Sequence, residues 1–541
     1  MKRILIFSAL LLWAGAGLHA QNLDPTVVVT NTYAREASGI EKPSQLLALP
    51  DSVLRFNLDF DYSVHATPYK GAYEFKPYMV ELRPTSRITE EGKLYLSAGA
   101  GYTLHPDFTF IWSPLHKDHF QMNLYADHHS YWGNYRSIAL QNKWFQPDGT
   151  RYWGRESHSV AGVNGLLSWK DGQLLADVRY RNVLGTRNQI ADAVFHAVDA
   201  HVHVQSNPQA AFLYDAETTN TGFWSAFVNE FHSLTKAGVG THFGIHYLNL
   251  SAQAELVSRQ EALVGNVAFS PRYLLTPGKF RLDLGAKVSF LFRTVPGFYP
   301  QPFVFPLFPD VHITWFLVPN VLTLQASATG GHVMNVYSSM VDDNPFLAGF
   351  INLDGTTALA LDASVERWNI KLGARGNIRE RFYYDLGTGY AFRTNGQLWG
   401  FAAAGVPALG YAPAYHLFYV DAALGWKSQS VDVDGHFLYQ LTNLNEQRLL
   451  APPAFSMNLR AVYNWGDRIK AGFTLEGQTE QTAIQGSVPG YIDLGLLGDF
   501  QMNRLLGIWL RLGNLLNQPV QRVPFHAQEG IYFTLGIRLN L

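Results

Sequence analysis

The chain has 541 residues, 47% hydrophobic, 16% charged and 14% aromatic, with a formal net charge of -2 and no cysteine. So apolar and aromatic a composition excludes a disordered chain, and a near-neutral balance without a clustered Lys/Arg stripe gives no field for gripping nucleic acid. The lack of cysteine removes disulfide frameworks, thiolate metal sites, cysteine nucleophiles and a lipid-anchored N-terminal cysteine.

Residues 1–20 read as a signal peptide: Lys2 and Arg3, a mostly apolar run from Ile4 to Gly17, then His19-Ala20, with cleavage expected after Ala20. No later stretch offers the roughly twenty uninterrupted apolar residues of a membrane helix. Residues 21–91 form an N-terminal segment with a hairpin expected from Val53–Tyr62 and Glu74–Arg83. Pro77 and Pro84 place that hairpin at an edge or outside a barrel, because proline donates nothing to a ladder.

From Gly92 the pattern turns regular. In the last strand Ile531, Phe533, Leu535, Ile537, Leu539 and Leu541 alternate with Tyr532, Thr534, Gly536, Arg538 and Asn540, as a strand between two different solvents must. Upward strands are expected near Gly92, Asp118, Gly172, Pro208, Lys236, Lys279, Asn320, Arg381, Gln429, Asp467 and Asn503. Their downward partners are expected near Asp107, Ser157, Val194, Thr221, Ala262, Phe308, Arg367, Ala414, Ala454, Pro489 and Glu529.

Short turns such as Lys170-Asp171-Gly172, Thr276-Pro277-Gly278, Val318-Pro319-Asn320 and Trp465-Gly466-Asp467 fall on one side. Long connections, Tyr131–Glu156, Pro296–Pro309, Gly331–Glu366 and Asn395–Tyr415, fall on the other. This asymmetry predicts an all-β fold, a transmembrane antiparallel β-barrel of about 22 strands over residues 92–541. Trp169, Trp426, Tyr463 and Trp465 lie beside the short turns, where an interfacial aromatic girdle belongs. A soluble sandwich would use shorter strands, and a propeller would repeat itself every blade.

Two stretches carry a family resemblance. Gly513-Asn514-Leu515-Leu516-Asn517-Gln518-Pro519, a loop and Gly530 opening the terminal strand resemble the end of the TonB-dependent receptors of bacterial outer membranes, although Leu541 stands where an aromatic is usual. Asp343-Asn344-Pro345-Phe346-Leu347, with Trp368–Ile378 and Arg381–Tyr390 after it, resembles the Asn-Pro-Phe/Tyr loop and hairpin of such receptors of the Bacteroidetes type. The resemblance spans roughly Gly92–Leu541 and implies a 22-strand barrel in a Gram-negative outer membrane, in contact with its lipid. Family members carry a large folded plug, for which Gln21–Glu91 is too short, so a receptor-like barrel lacking a full plug is expected. Thr26-Val27-Val28-Val29-Thr30 is similar to the family's TonB box, which would imply pairing with TonB by β-augmentation; five residues suit an ordinary extended N-terminal segment as well.

No residue qualifies as catalytic, cofactor-binding or metal-ligating. His201 with His203, and His242 with His246, are expected to share strand faces, but nothing in the sequence supplies a third ligand. His128 and His129 should point to opposite faces, and Asp432 and Asp434 should share a lumen face as solvated lining. Gly99-x-Gly101, Gly238-x-Gly240 and Gly387-x-Gly389 sit within strands and are expected to ease curvature. No Gly-x-Ser-x-Gly elbow is present.

Two outer connections, Trp399–Tyr415 and Pro296–Pro309, are unusually apolar, as surfaces for a partner or as loops folding into the pore. The expected function is passage or uptake of a small solute, with no enzyme activity and no cofactor. The alternative is an assembly scaffold docking surface lipoproteins or other outer-membrane proteins.

Overall fold

The computed structural model describes residues 93–541 apart from 118, 187–191, 208, 209, 211, 227, 261, 295–305, 347–361, 403–406, 467 and 529. The signal segment, Thr26–Thr30 and the hairpin expected before Gly92 lie outside the described residues. In chain order the strands begin β1 (Leu94–Tyr102), β2 (Asp107–Lys117), β3 (Phe120–Gln141), β4 (Trp144–Trp169), β5 (Gly172–Thr186) and β6 (Asp192–Ser206). Next come β7 (Phe212–Ser225), β8 (Asn229–Phe243), β9 (His246–Arg259), β10 (Ala262–Leu275), β11 (Phe280–Arg293), β12 (Leu307–Val318) and β13 (Leu322–Met334). A short helix, α1 (Tyr337–Asp343), precedes β14 (Ala363–Ile378), β15 (Phe382–Phe401), β16 (Pro407–Lys427), β17 (Val431–Thr442), β18 (Phe455–Trp465) and β19 (Ile469–Gln478). The last six are β20 (Gln481–Thr482), β21 (Ser487–Val488), β22 (Tyr491–Gln501), β23 (Leu506–Gly513), β24 (Ala527–Gln528) and β25 (Tyr532–Asn540).

Three of these, β20, β21 and β24, are two residues long; the other 22 form one antiparallel barrel in chain order. It closes where β1 meets β25, in register from Tyr95↔Asn540 to Tyr102↔Phe533, which removes every free edge from the ring. Period two gives each strand two environments. On β25, Phe533, Leu535 and Ile537 are 43–53% exposed, whereas Tyr532 and Thr534 between them are 7% and 4%. The exposed set is the apolar belt that a bilayer covers, and the inward set lines the lumen. Trp169, Trp426, Tyr463 and Trp465 all face outward at the short-turn end, as a girdle should.

The turns form as their residues dictate. Gly278, Asn320 and Gly466 hold φ of 61°, 61° and 58° at the tips of the β10–β11, β12–β13 and β18–β19 hairpins, a region open to Gly and tolerated by Asn. Four strand starts differ from expectation: Ser157 and Ala414 lie inside β4 and β16, which begin further out, and Thr221 and Lys236 are displaced along the chain. Thr221 lies inside β7 and Lys236 inside β8, because β7 runs on to Ser225 before β8 begins at Asn229 and the next turn sits at Gly244-Ile245. His242 and His246 consequently belong to adjacent strands, with His242↔Tyr247 and Phe243↔His246 as rungs. They therefore face opposite sides of the wall, not one.

The outer connections also differ. Tyr131–Glu156 is not a loop: β3 and β4 run on as a 22- and 26-residue hairpin, well past the nine to eleven residues a bilayer needs. Its tip, Asn142-Lys143, has φ of 49° and 70°. Asn395–Tyr415 likewise continues β15 and β16 as paired strands, from Gly396↔Ala412 to Phe401↔Pro407. Pro296–Pro309 falls largely on undescribed residues.

Candidate functional site: the covered mouth of the barrel

At the long-loop end, described segments fold inward and meet across the lumen. The first is α1, only seven residues long and held by tertiary contacts. Glu230, at the top of β8, accepts from the Tyr337 and Ser338 backbone N–H groups at 2.9 and 3.1 Å. The same carboxylate takes two bonds from Arg259 of β9, at 2.9 and 2.6 Å. Arg259 also donates to the Asn335 carbonyl at 3.1 Å and lies 5.5 Å from the Tyr337 ring centroid. Both side chains of this ion pair are 0% exposed. The far end of the helix is tied by Asp342 to Arg181 of β5, which also bonds Asp199 of β6. The inner face of α1, Tyr337 and Val341, packs on Phe195, Phe223 and Val183 of the wall.

The second segment follows the helix. Asn344 closes a local turn by accepting from the Phe346 N–H at 2.9 Å. Phe346 stacks on His526 at 4.1 Å and meets Tyr135 edge-on at 5.6 Å, in a cluster with Tyr131, Tyr152 and Val523. The Asn-Pro-Phe stretch is thus an anchor within the mouth.

The third is a small sheet lying over the opening. The β15–β16 tip pairs with residues 446–451 through Phe401 N–H to Arg448 O and Leu450 N–H to Trp399 O. That segment bonds the β20–β21 turn through Ala451 to Thr482, Ile484 to Glu446 and Gln485 to Gln447. β21 then joins the β3–β4 tip, where Ser487 N–H donates to Lys143 O at 2.8 Å. Gln521 donates to Phe145 O at 2.8 Å, bringing in the β23–β25 connection, whose Phe525 packs with Phe145, Phe401, Leu450 and Val488. Close approach is required at Gly400, where a Cβ would sit 2.3 Å from Arg448 O.

Leu409 and Trp399 of the tip belong to the same apolar cluster as Tyr337 and Val341 of α1 and Phe195 and Phe223 of the wall. β16 and β6 lie ten places apart on a ring of 22, so this cluster spans the barrel. The described residues form a lid. Of Trp399–Tyr415, the described Phe401, Leu409, Tyr411, Ala412 and Tyr415 are buried, as in a segment folded into the mouth.

Charge fastens the lid at further points. Arg293 reaches Asp362 at 2.9 Å, while Arg393 and Glu366, rung partners of β15 and β14, pair at 2.8 Å within the wall below. Arg522, in the β23–β25 connection, bonds Glu476 at 3.1 Å and also Asp493. Burial opposes its charge, but the two carboxylates outweigh that and hold the guanidinium well above its ordinary range.

The residues singled out in sequence fall elsewhere. His201 and His203 each face a carboxylate of β7, Glu217 and Asp215, at 3.1 Å, and no group of three ligating side chains occurs among the described residues. His128 and His129 are consecutive in β3 and take opposite faces, with His128 bonded to Ser159 at 2.7 Å. Asp434 accepts from the Tyr383 hydroxyl at 2.8 Å. Among the strand glycines Gly99, Gly240 and Gly389 make room for rings: a Cβ at Gly99 would sit 2.5 Å from Trp509, and one at Gly389 2.3 Å from Tyr419.

No family model matches the chain, and no curated protein matches it. Among solved structures it is similar to the ferric-catecholate import receptor Fiu of E. coli, at 8% identity and a TM-score of 0.59, over 83% of this chain and 82% of that one. It is similar to the siderophore receptor PirA of Acinetobacter baumannii and to the copper transporter OprC, each at 10% identity and a TM-score of 0.59, over 83% of this chain and 80% of theirs. Identity this low is a likeness of fold alone.

Proposed function

We propose that the chain is an outer-membrane uptake receptor of a Gram-negative cell, which passes a small solute through its lumen when the lid moves. One observation carries the reading: a polar, ion-paired lumen is roofed by three segments of the chain itself, of which α1 and the Asn344–Phe346 turn are held by side-chain contacts and the lid sheet by short ladders between the tips of strand hairpins. Such attachments can release without breaking the barrel. The receptors and the copper transporter that share the fold support uptake as the activity. The expected receptor likeness of the Bacteroidetes type, a segment Gln21–Glu91 that gates from within or below, and engagement of TonB by Thr26–Thr30 belong to this proposal.

The test is passage of labelled polar solutes into liposomes holding the purified chain, beside Phe346→Ala and beside the chain lacking Gln21–Glu91. Faster passage when the lid is loosened supports the reading. No passage by any form, including Phe346→Ala without Gln21–Glu91, would leave it without a physical basis and favour a scaffold.

A further inference from the structure

The lipid-facing wall is not uniform. On β11 every outward residue is apolar: Phe280, Leu282, Leu284, Ala286, Val288, Phe290 and Phe292. On β7 and β8 the same face carries Thr218, Asn220, Ser233 and Thr235. Exposed aromatics bracket them, Trp224 and Phe231 above and Phe212 and Phe243 below, so they lie within the belt.

The four side chains bond one another. Thr218 and Thr235 share a hydrogen bond of 2.9 Å, Asn220 Nδ2 donates to Thr218 at 3.3 Å, and Ser233 donates to Asn220 Oδ1 at 2.8 Å. A hydroxyl has one donor and two acceptor sites and an amide has four, so the patch keeps capacity that lipid tails cannot use. The rungs around it are small: Ala216↔Ala237 beside it, Ala252 and Ala254 on β9, Ala200 on β6. Small residues with hydrogen-bonding side chains are what two protein surfaces need to meet inside a bilayer.

Beside the patch, toward the short turns, the wall dips into a groove of about 540 Å³ lined by Phe212, Val239, Leu248, Leu250, Pro271 and Tyr273 among others. Its cause is local. Pro271 has no N–H for the ladder, and no rung joins Ser270 and Pro271 to β11 between Phe269↔Val288 and Arg272↔Gly285.

We propose that this face, β7 to β10, is the contact between two copies of the chain in the membrane. The patch is uncharged, and its hydroxyl and amide groups both donate and accept, so it complements itself as an isologous contact requires. A two-fold axis along the membrane normal through β8 sets the β7 side of one copy against the β9–β10 side of the other at equal depth. Thr218 and Asn220 then meet Ala252 and Ala254, and Phe212, 57% exposed, faces the groove of the other copy.

The chain has no cysteine, so one introduced thiol reports the contact in intact membranes. Thr235→Cys, on the axis, is expected to form a disulfide dimer in most of the chains under mild oxidation, while Leu372→Cys, outward on β14, stays monomeric. Combined Thr218→Val, Asn220→Leu, Ser233→Ala and Thr235→Val is expected to lower the dimer fraction at least tenfold while the barrel keeps its heat-modifiable gel mobility. Equal crosslinking at Thr235→Cys and Leu372→Cys, no dimer at Thr235→Cys or Ala237→Cys, or capture of a different protein would each overturn the proposal.

Discussion

Glu230→Gln isolates the attachment of α1. In the native chain the Glu230 carboxylate holds the Arg259 guanidinium and two helix N–H groups with no exposed surface. Removing one partner of a buried ion pair costs about 3–5 kcal/mol. The glutamine carbonyl keeps part of the N–H bonding, which argues for the lower end, about 3 kcal/mol. If that free energy falls on lid release rather than on global unfolding, the opening equilibrium rises on the order of 100-fold. Hydrogen exchange in bilayer discs reads this directly: the Tyr337 and Ser338 amides should lose about two orders of magnitude of protection, with the barrel strands unchanged. His203→Ala is the control, because its Asp215 partner is 66% exposed and such a pair contributes roughly 0–1 kcal/mol. Exchange at Tyr337 and Ser338 that changes less than about threefold, or equally in His203→Ala, would refute the view that the buried pair holds the helix.

Phe346→Ala should remove about 3–5 kcal/mol from the mouth by emptying a site ringed by Tyr135 and His526; faster proteolytic cutting between Tyr337 and Phe346 in an intact barrel is the readout. Leu372→Arg, on the lipid face of β14 at 55% exposure, should weaken folding into bilayers by about 2–4 kcal/mol. Its lumen-facing neighbour Lys371, bonded to Asp421 at 3.0 Å, should cost under about 1 kcal/mol as Lys371→Ala. Both are read by folding titration, and equal losses would contradict the assignment of faces. Gly400→Ala should disturb the lid sheet, since a Cβ there collides with Arg448 O; the expected sign is faster exchange at the Leu450 amide.

The barrel was legible because lipid on one side and solvent on the other impose alternation that any single strand displays. Asp107, Gly172 and Ala262 are strand starts in sequence and structure alike. The displaced starts at Thr221 and Lys236 have a local cause: the connection from Ser225 to Asn229 has no Gly or Pro, while Gly238 and Gly240 lie mid-strand and resemble a turn. Above the belt the outward face no longer meets lipid, so Trp132, Asn134 and Arg136 break the alternation even though β3 continues.

The lid was not legible, because its contacts join residues far apart in sequence: Phe195 with Tyr337, Phe145 with Phe525, Ser487 with Lys143. No local periodicity announces such pairs. One signal was available in the apolar character of Trp399–Tyr415, which suits a buried segment better than a solvated loop. The Asn344-Pro345-Phe346 stretch was visible as a resemblance, and its role as an anchor needed His526 brought beside it.

The central claim, that the lid governs passage through the barrel, is tested most directly by single-channel conductance in planar bilayers. The comparison is between the chain lacking Gln21–Glu91 with its native lid and the same chain carrying Glu230→Gln. Rare openings with the native lid, and an open probability raised on the order of 100-fold by Glu230→Gln, are predicted. Equal open probability in the two, or silence in both, would contradict it.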